Sequence, residues 1–145
     1  MHEYKRAVNY YETDKMGITH HSNYIRYMEE ARVDFLQAIG CAYEKWEADG
    51  IISPVIGIEC EYKRPTTFGD RLRIGVAITE YKRIRLTVSY TVWNDATGEI
   101  VFLGKSHHCF TNAEGRPIAL ERQFPFYDEI LKKYLSAEAP SATEN

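Results

Sequence analysis

No run in this sequence is apolar for long enough to cross a bilayer, and the N-terminal stretch MHEYKRAVNYYETD has no apolar core of the signal-peptide kind. A basic excess is missing too. The 18 Lys and Arg against 21 Asp and Glu leave a net charge of −3, so nothing recommends nucleic acid as a partner. Cysteine is scarce: Cys41, Cys60 and Cys109 are odd in number and widely spaced. That pattern reads as reduced core residues of a cytoplasmic protein rather than a disulfide framework. Neither a P-loop nor a GxGxxG is present, and no repeat or long linker divides the chain. What remains is one soluble domain, since 145 residues with 44% hydrophobic content suffice to bury a core.

The domain is expected over residues 1–135. Tyr4 to Tyr11 is rich in strand formers and reads as a first strand. From Tyr24 a helical period follows, with Tyr27, Met28, Ala31, Phe35, Ala38 and Ile39 as its core stripe. Ser22 or Asn23 is the N-cap candidate, Gly40 the C-terminal stop, and Arg26 with Glu30 a possible i,i+4 pair. Ala42 to Asp49 reads as a short second helix.

Beyond it the period changes. Ile51 to Lys63 is a strand candidate. Leu72, Ile74, Val76 and Ile78, then Ile84, Leu86, Val88, Tyr90 and Val92, alternate with polar residues as half-buried antiparallel strands do. Ile100 to Thr111 is another strand, a short one is expected from Ile118, and Pro125 opens a closing helix. The tail 136–145, SAEAPSATEN, has no apolar period and is expected to be disordered. A strand, a long helix and a run of antiparallel strands make an α+β domain with the sheet wrapped on the helix.

The connection between the first strand and the long helix holds the chemistry. It carries Asp14, Gly17, His20 and His21 just before the helix start. A helix N-terminus offers unpaired N–H groups and the positive end of a dipole, which attract a developing oxyanion. An acid beside it can serve as base or nucleophile toward a carbonyl polarised there. An isolated Asp is usually a turn residue, and an isolated His usually bonds backbone; here the combination points to hydrolysis of an activated acyl group. A thiolate leaves readily, so a thioester needs no Ser-His-Asp triad. The pairs His20-His21 and His107-His108 match no zinc spacing, and no metal is expected. His107 with Cys109 imitates a nucleophile pair but lacks an orienting third group. Lys82, Arg83, Arg85, Lys105 and Arg116 are either a solvated face or partners for the phosphates of a nucleotide-bearing carrier.

Tyr-Glu-Thr-Asp14-x-x-Gly17-x-x-x-His21-x-Asn23-Tyr24, followed by Met28-Glu29-Glu30-Ala31-Arg32, resembles the 4-hydroxybenzoyl-CoA thioesterase-like branch of the hotdog-fold acyl-CoA thioesterases. Tyr62-x-x-Pro65-x-x-x-Gly69-Asp70-x-Leu72 is similar to that family's approach to its third strand, and the likeness runs to about Pro117. The resemblance implies a hotdog sheet around a central helix. It also implies homodimers pairing sheets edge to edge, assembly to a homotetramer, and active sites at the dimer interface. It assigns nucleophile or general base to Asp14 and the carbonyl-polarising N–H to the His21 position, with Tyr11, Gly17 and Asn23 as pocket candidates. A histidine there is found in the bacterial acyl-CoA branch, a tyrosine in the hydroxybenzoyl branch. Lys15-Met16 and His20 depart from the family pattern, which bears on substrate shape. The implied activity is hydrolysis of an acyl-CoA or acyl carrier protein thioester, with no cofactor besides the coenzyme A of the substrate. Two other readings are a hotdog protein that binds acyl-CoA without cleaving it and a hotdog hydratase or dehydratase. The first would lack the acid at position 14, and the second needs a His paired with an acid on the long helix.

Overall fold

The computed structural model describes residues 2–140. Five strands form one antiparallel sheet: β1 (His2–Ala7), β2 (Val55–Tyr62), β3 (Arg71–Lys82), β4 (Arg85–Asn94) and β5 (Ile100–Cys109), in the order β1-β3-β4-β5-β2. The long helix α1 (Asn23–Ile39) lies on one face, followed by α2 (Tyr43–Ala48), α3 (Leu120–Gln123) and α4 (Pro125–Lys133). This is the α+β hotdog arrangement that the resemblance implies. Among the described residues no helix is long and apolar enough to cross a membrane.

The core forms where the α1 stripe meets the inward face of the sheet. Tyr24, Tyr27, Met28, Ala31 and Phe35 pack with Leu72, Ile74, Val76, Ile78, Val88, Val92 and Phe102. Burying side chains of this size stabilises by about 1.5–3 kcal/mol each, before the entropy of ordering them. Gly40 closes α1 in a left-handed conformation, φ 94°, its N–H reaching back to Gln37 and Leu36 carbonyls.

Several expectations change in three dimensions. The first strand stops at Ala7, because Val8 turns into the core and Tyr10–Glu12 form a 3-10 turn. That turn is stapled by the Asn9 N–H donating to the Glu12 carboxylate at 2.8 Å. Ser22 does not cap α1; its own backbone is helical and its hydroxyl meets His20 Nδ1 at 2.8 Å. Arg26 leans on Asn23, not Glu30, because Glu30 is taken by Arg6 from β1 at 2.6 Å. β2 begins only after Pro54, which has no N–H to give a ladder. No strand starts at Ile118, where the chain enters α3.

Cys60 is exposed on β2, whereas Cys41 is buried and Cys109 half-buried. The polar side of β4 is buried as well. Thr91 is fully enclosed and donates to the Pro140 carbonyl at 2.7 Å, because Ser136–Pro140 crosses that face. This part of the supposedly disordered tail is tied down from its start, where the Ser136 N–H donates to the Ile78 carbonyl at 2.7 Å. Residues 141–145 lie outside the described residues.

Candidate active site

Between the 3-10 turn and α1 the chain makes a small hairpin. Thr13 bridges Thr19, and the Asp14 N–H donates to the Ile18 carbonyl at 2.9 Å. Gly17 lies at its tip with φ 77°, where a side chain would be strained, and its N–H closes the turn onto the Asp14 carbonyl at 2.9 Å. The half-buried Asp14 carboxylate is thereby fixed in direction. Its Oδ1 accepts from the Met16 N–H at 2.8 Å, which leaves Oδ2 without a partner among the described residues.

The return strand of this hairpin delivers the chain to the helix start. His20 consumes two donors there: its carbonyl accepts the Asn23 N–H at 3.0 Å, and its ring Nδ1 accepts the Ser22 N–H at 3.2 Å. The His21 N–H is left without a hydrogen-bond partner among the described residues. Sequence reasoning put the donors near His21 and Ser22; only the first is free. The His21 ring stacks on His20 with centroids 4.2 Å apart and stands edge-on to Tyr62.

Asp14 and His21 line one cavity of about 320 Å³, together with Met16, Tyr24, Tyr62 and Arg64. Its floor is rigid. Tyr24 OH meets Thr66 Oγ1 at 2.8 Å, which meets Thr19 Oγ1 at 2.6 Å, so α1, the hairpin and the loop after β2 are tied together. The Tyr62 hydroxyl donates to the His21 carbonyl at 3.0 Å. Burial pushes the Tyr62 phenol up to about 12, so it stays a neutral donor at working pH. The two other pocket candidates lie elsewhere. Tyr11 is exposed, its hydroxyl accepting from Asn9, and does not line the cavity. Asn23 is buried and donates to the Glu12 carbonyl at 2.9 Å, anchoring the helix start to the 3-10 turn.

Sequence reasoning missed Tyr62 and Arg64, which reach the site from the end of the edge strand; only their place in the motif Tyr62-x-x-Pro65 hinted at them. It also missed a buried cation in the core. Arg32 donates to Tyr43 OH at 2.8 Å and Tyr90 OH at 3.0 Å, and no carboxylate neutralises it in that cluster. A larger hollow, about 770 Å³, lies between Phe35, Val76 and the Ser136–Pro140 segment; its lining includes Glu138 but neither Asp14 nor the start of α1.

A second feature is electrostatic. At the β3–β4 hairpin Lys82, Arg83, Arg85 and Arg122 line a groove of about 640 Å³ with no acid among its walls. Arg83 holds φ 50° there, a left-handed conformation that a hairpin normally gives to Gly or Asn. The groove is at the opposite end of the sheet from Asp14. β3 ends and β4 begins beside it, whereas β2 ends at Tyr62 by the cavity.

The chain matches the model of the thioesterase-like superfamily over residues 8–140. It is 31% identical over 135 residues to the Bacillus subtilis protein named "Putative acyl-CoA thioesterase YneP", covering 92% of this chain and 98% of that one. A 1,4-dihydroxy-2-naphthoyl-CoA hydrolase of Thermosynechococcus vestitus is 26% identical over 110 residues, 75% of each chain. Among solved structures, a DHNA-CoA thioesterase from Staphylococcus aureus superposes with a TM-score of 0.85 at 31% identity, covering 90% of this chain and 88% of that one.

Proposed function

The chain belongs to the thioesterase-like superfamily and is a thioester hydrolase of hotdog fold, and from that premise we propose that it cleaves acyl-CoA with Asp14 as the reacting acid. The observation that carries this reading is the pairing, in one cavity, of a carboxylate with one free oxygen and a helix start with one free N–H. The thioester carbonyl oxygen accepts from the His21 N–H, where the helix dipole favours the charge that develops on it. Asp14 Oδ2 takes a proton from water as the water oxygen bonds to the carbonyl carbon, or attacks that carbon itself. In the first case the C–S bond then breaks and the thiolate leaves, taking up that proton. In the second the C–S bond breaks to leave an Asp14 anhydride, which water hydrolyses to the free acid and the restored carboxylate, its proton passing to the thiolate.

The remaining features fit a dimer. β2 is an edge strand that exposes Val55, Ile56 and Tyr62, an apolar template for a second strand. Two β2 strands pairing antiparallel about a two-fold axis bring the start of one beside the end of the other. The partner's basic groove then comes to the same end of the joined sheet as Asp14. Four cations there suit the phosphates of a coenzyme A nucleotide better than the single phosphate of a carrier-protein arm. Arg83 in a strained conformation supports a binding role, because a turn built for stability alone would use Gly. Further assembly of such dimers to a tetramer, and a cytoplasmic setting suited to three unpaired thiols, belong to the same reading.

Thiol release from a panel of short, long and aromatic acyl-CoAs, dihydroxynaphthoyl-CoA among them, tests it with wild type and Asp14→Asn. Turnover by wild type that falls on the order of 10²–10⁴-fold in the variant is the expected result. Near wild-type turnover by the variant removes Asp14 from the mechanism. Binding of acyl-CoA with no release from any ester favours the non-catalytic reading.

A further inference from the structure

We propose that Glu12 is the positioning residue of this site, the buried hub from which both the Asp14 hairpin and the His21 helix start are hung. The proposal rests on the assignment of Asp14 and His21 above. Glu12 is only 4% exposed. Three donors from three different segments converge on its Oε1: Arg6 Nη2 of β1 at 2.6 Å, the Asn9 N–H at 2.8 Å and the Tyr27 hydroxyl of α1 at 2.9 Å. Its backbone carbonyl accepts two more, the His20 N–H at 2.8 Å and Asn23 Nδ2 at 2.9 Å.

The consequence for the cavity is direct. Asp14 lies two residues after Glu12, so the direction in which the hairpin leaves the 3-10 turn is set by the side-chain bonds. His21 follows His20, whose amide is held by the Glu12 carbonyl, so the return of the hairpin is set by the backbone bonds. One residue therefore fixes the distance between the acid and the carbonyl donor.

A plain structural ion pair would not need this arrangement. Arg6 is already paired with Glu30, through Nη1 at 2.8 and 2.6 Å, and would remain neutralised without Glu12. Three donors on one oxygen, one of them a guanidinium, instead suit an anion, because a neutral amide oxygen carries less negative charge and bonds each donor more weakly. Tyr27 responds to the same field: burial and then the Glu12 carboxylate raise its phenol well above the usual range, which keeps it a donor at all working pH.

The test uses the full chain with Glu12→Gln, Glu12→Ala, Asp14→Asn and the Glu12→Gln/Asp14→Asn double variant. Thiol release and site-resolved amide hydrogen exchange are both read. Glu12→Gln is expected to lower kcat about tenfold and Glu12→Ala about a hundredfold, the scale of a sub-ångström to 1 Å misplacement, with KM within about twofold. In the Asp14→Asn background Glu12→Gln should add nothing, as groups acting through one another are not additive. The His20 and Asp14 amides should exchange faster, with the amides of β3 and β4 unchanged; if Glu12→Ala does not fold, Glu12→Gln carries the test.

Wild-type kcat in Glu12→Gln beside a collapsed Asp14→Asn overturns this proposal alone. So do additive losses in the double variant, or sheet amides loosened as much as those of the hairpin. Wild-type turnover by Asp14→Asn removes the acid from the mechanism and this proposal with it.

Discussion

The hydroxyl of Tyr62, the last residue of β2, donates to the carbonyl of His21 at 3.0 Å, across 41 residues of sequence. The edge strand thereby holds the start of the central helix. A carbonyl occupied by that donor cannot turn toward the substrate, and the peptide plane that follows from it keeps the helix start in register with the cavity.

Tyr62→Phe removes this bond and little else, because the ring keeps its edge-on contacts with Tyr24 and Phe102. Stability should fall by about 1 kcal/mol, the net worth of one hydrogen bond. Turnover should fall about three- to tenfold from the looser helix start, read as kcat at saturating substrate. An unchanged kcat would mean that the peptide at His21 is held by the hairpin alone.

The hairpin groove gives a prediction in which binding and stability move apart. Arg83→Gly removes a cation and relieves a left-handed residue. KM for a CoA ester should rise about three- to tenfold while kcat stays within about twofold, and the melting temperature should hold or rise. Wild-type KM should climb with added salt, since these side chains are exposed and screened. The same KM at low and high salt would argue against phosphate contacts in this groove.

His108 sets a pH limit on the fold. Burial, and next the Arg32 guanidinium, hold its imidazole down at about 4, so it is neutral in the folded chain. The unfolded chain binds that proton near 6.5, hence at lower pH it is the unfolded state that gains protons. The contribution is fully present above 6.5 and is lost progressively as pH falls toward 4, by about 3 kcal/mol at most. Denaturant unfolding of wild type and His108→Gln at pH 7 and pH 4.5 checks this. The variant should lose less stability over that interval, and equal losses would exclude His108 as the titrating group.

Much of the architecture was legible because periodicity reports faces. The stripe Tyr27, Met28, Ala31, Phe35 is the buried face of α1, and Leu72 to Ile78 alternate as an inward strand face should. The glycine at position 40 ends α1 for the conformational reason its sequence position suggested. Asp14, Gly17 and His21 are local in sequence, so the connection that carries them could be read directly, although its pairing as a hairpin could not. The burial of Thr87, Ser89 and Thr91 was not legible, since it depends on distant chain crossing that face and on pairs such as Ser89–Thr79. Arg32 was opaque for the same reason, because the tyrosines that accept its protons arrive from α2 and β4.

The sequence by itself determined an α+β domain, a connection bearing an acid before a long helix, and the class of chemistry that such a pair can perform. These follow from local rules: side-chain period, the φ freedom of glycine, and the unpaired N–H groups of a helix start. Only the tertiary structure decided which N–H is free, which oxygen of Asp14 has no partner among the described residues, that Tyr62 holds His21, and that Glu12 rather than a surface acid gathers the hairpin. The last two depend on donors and acceptors that folding brings together from segments far apart in the chain; the first two depend on side-chain directions within the connection that no residue pattern encodes.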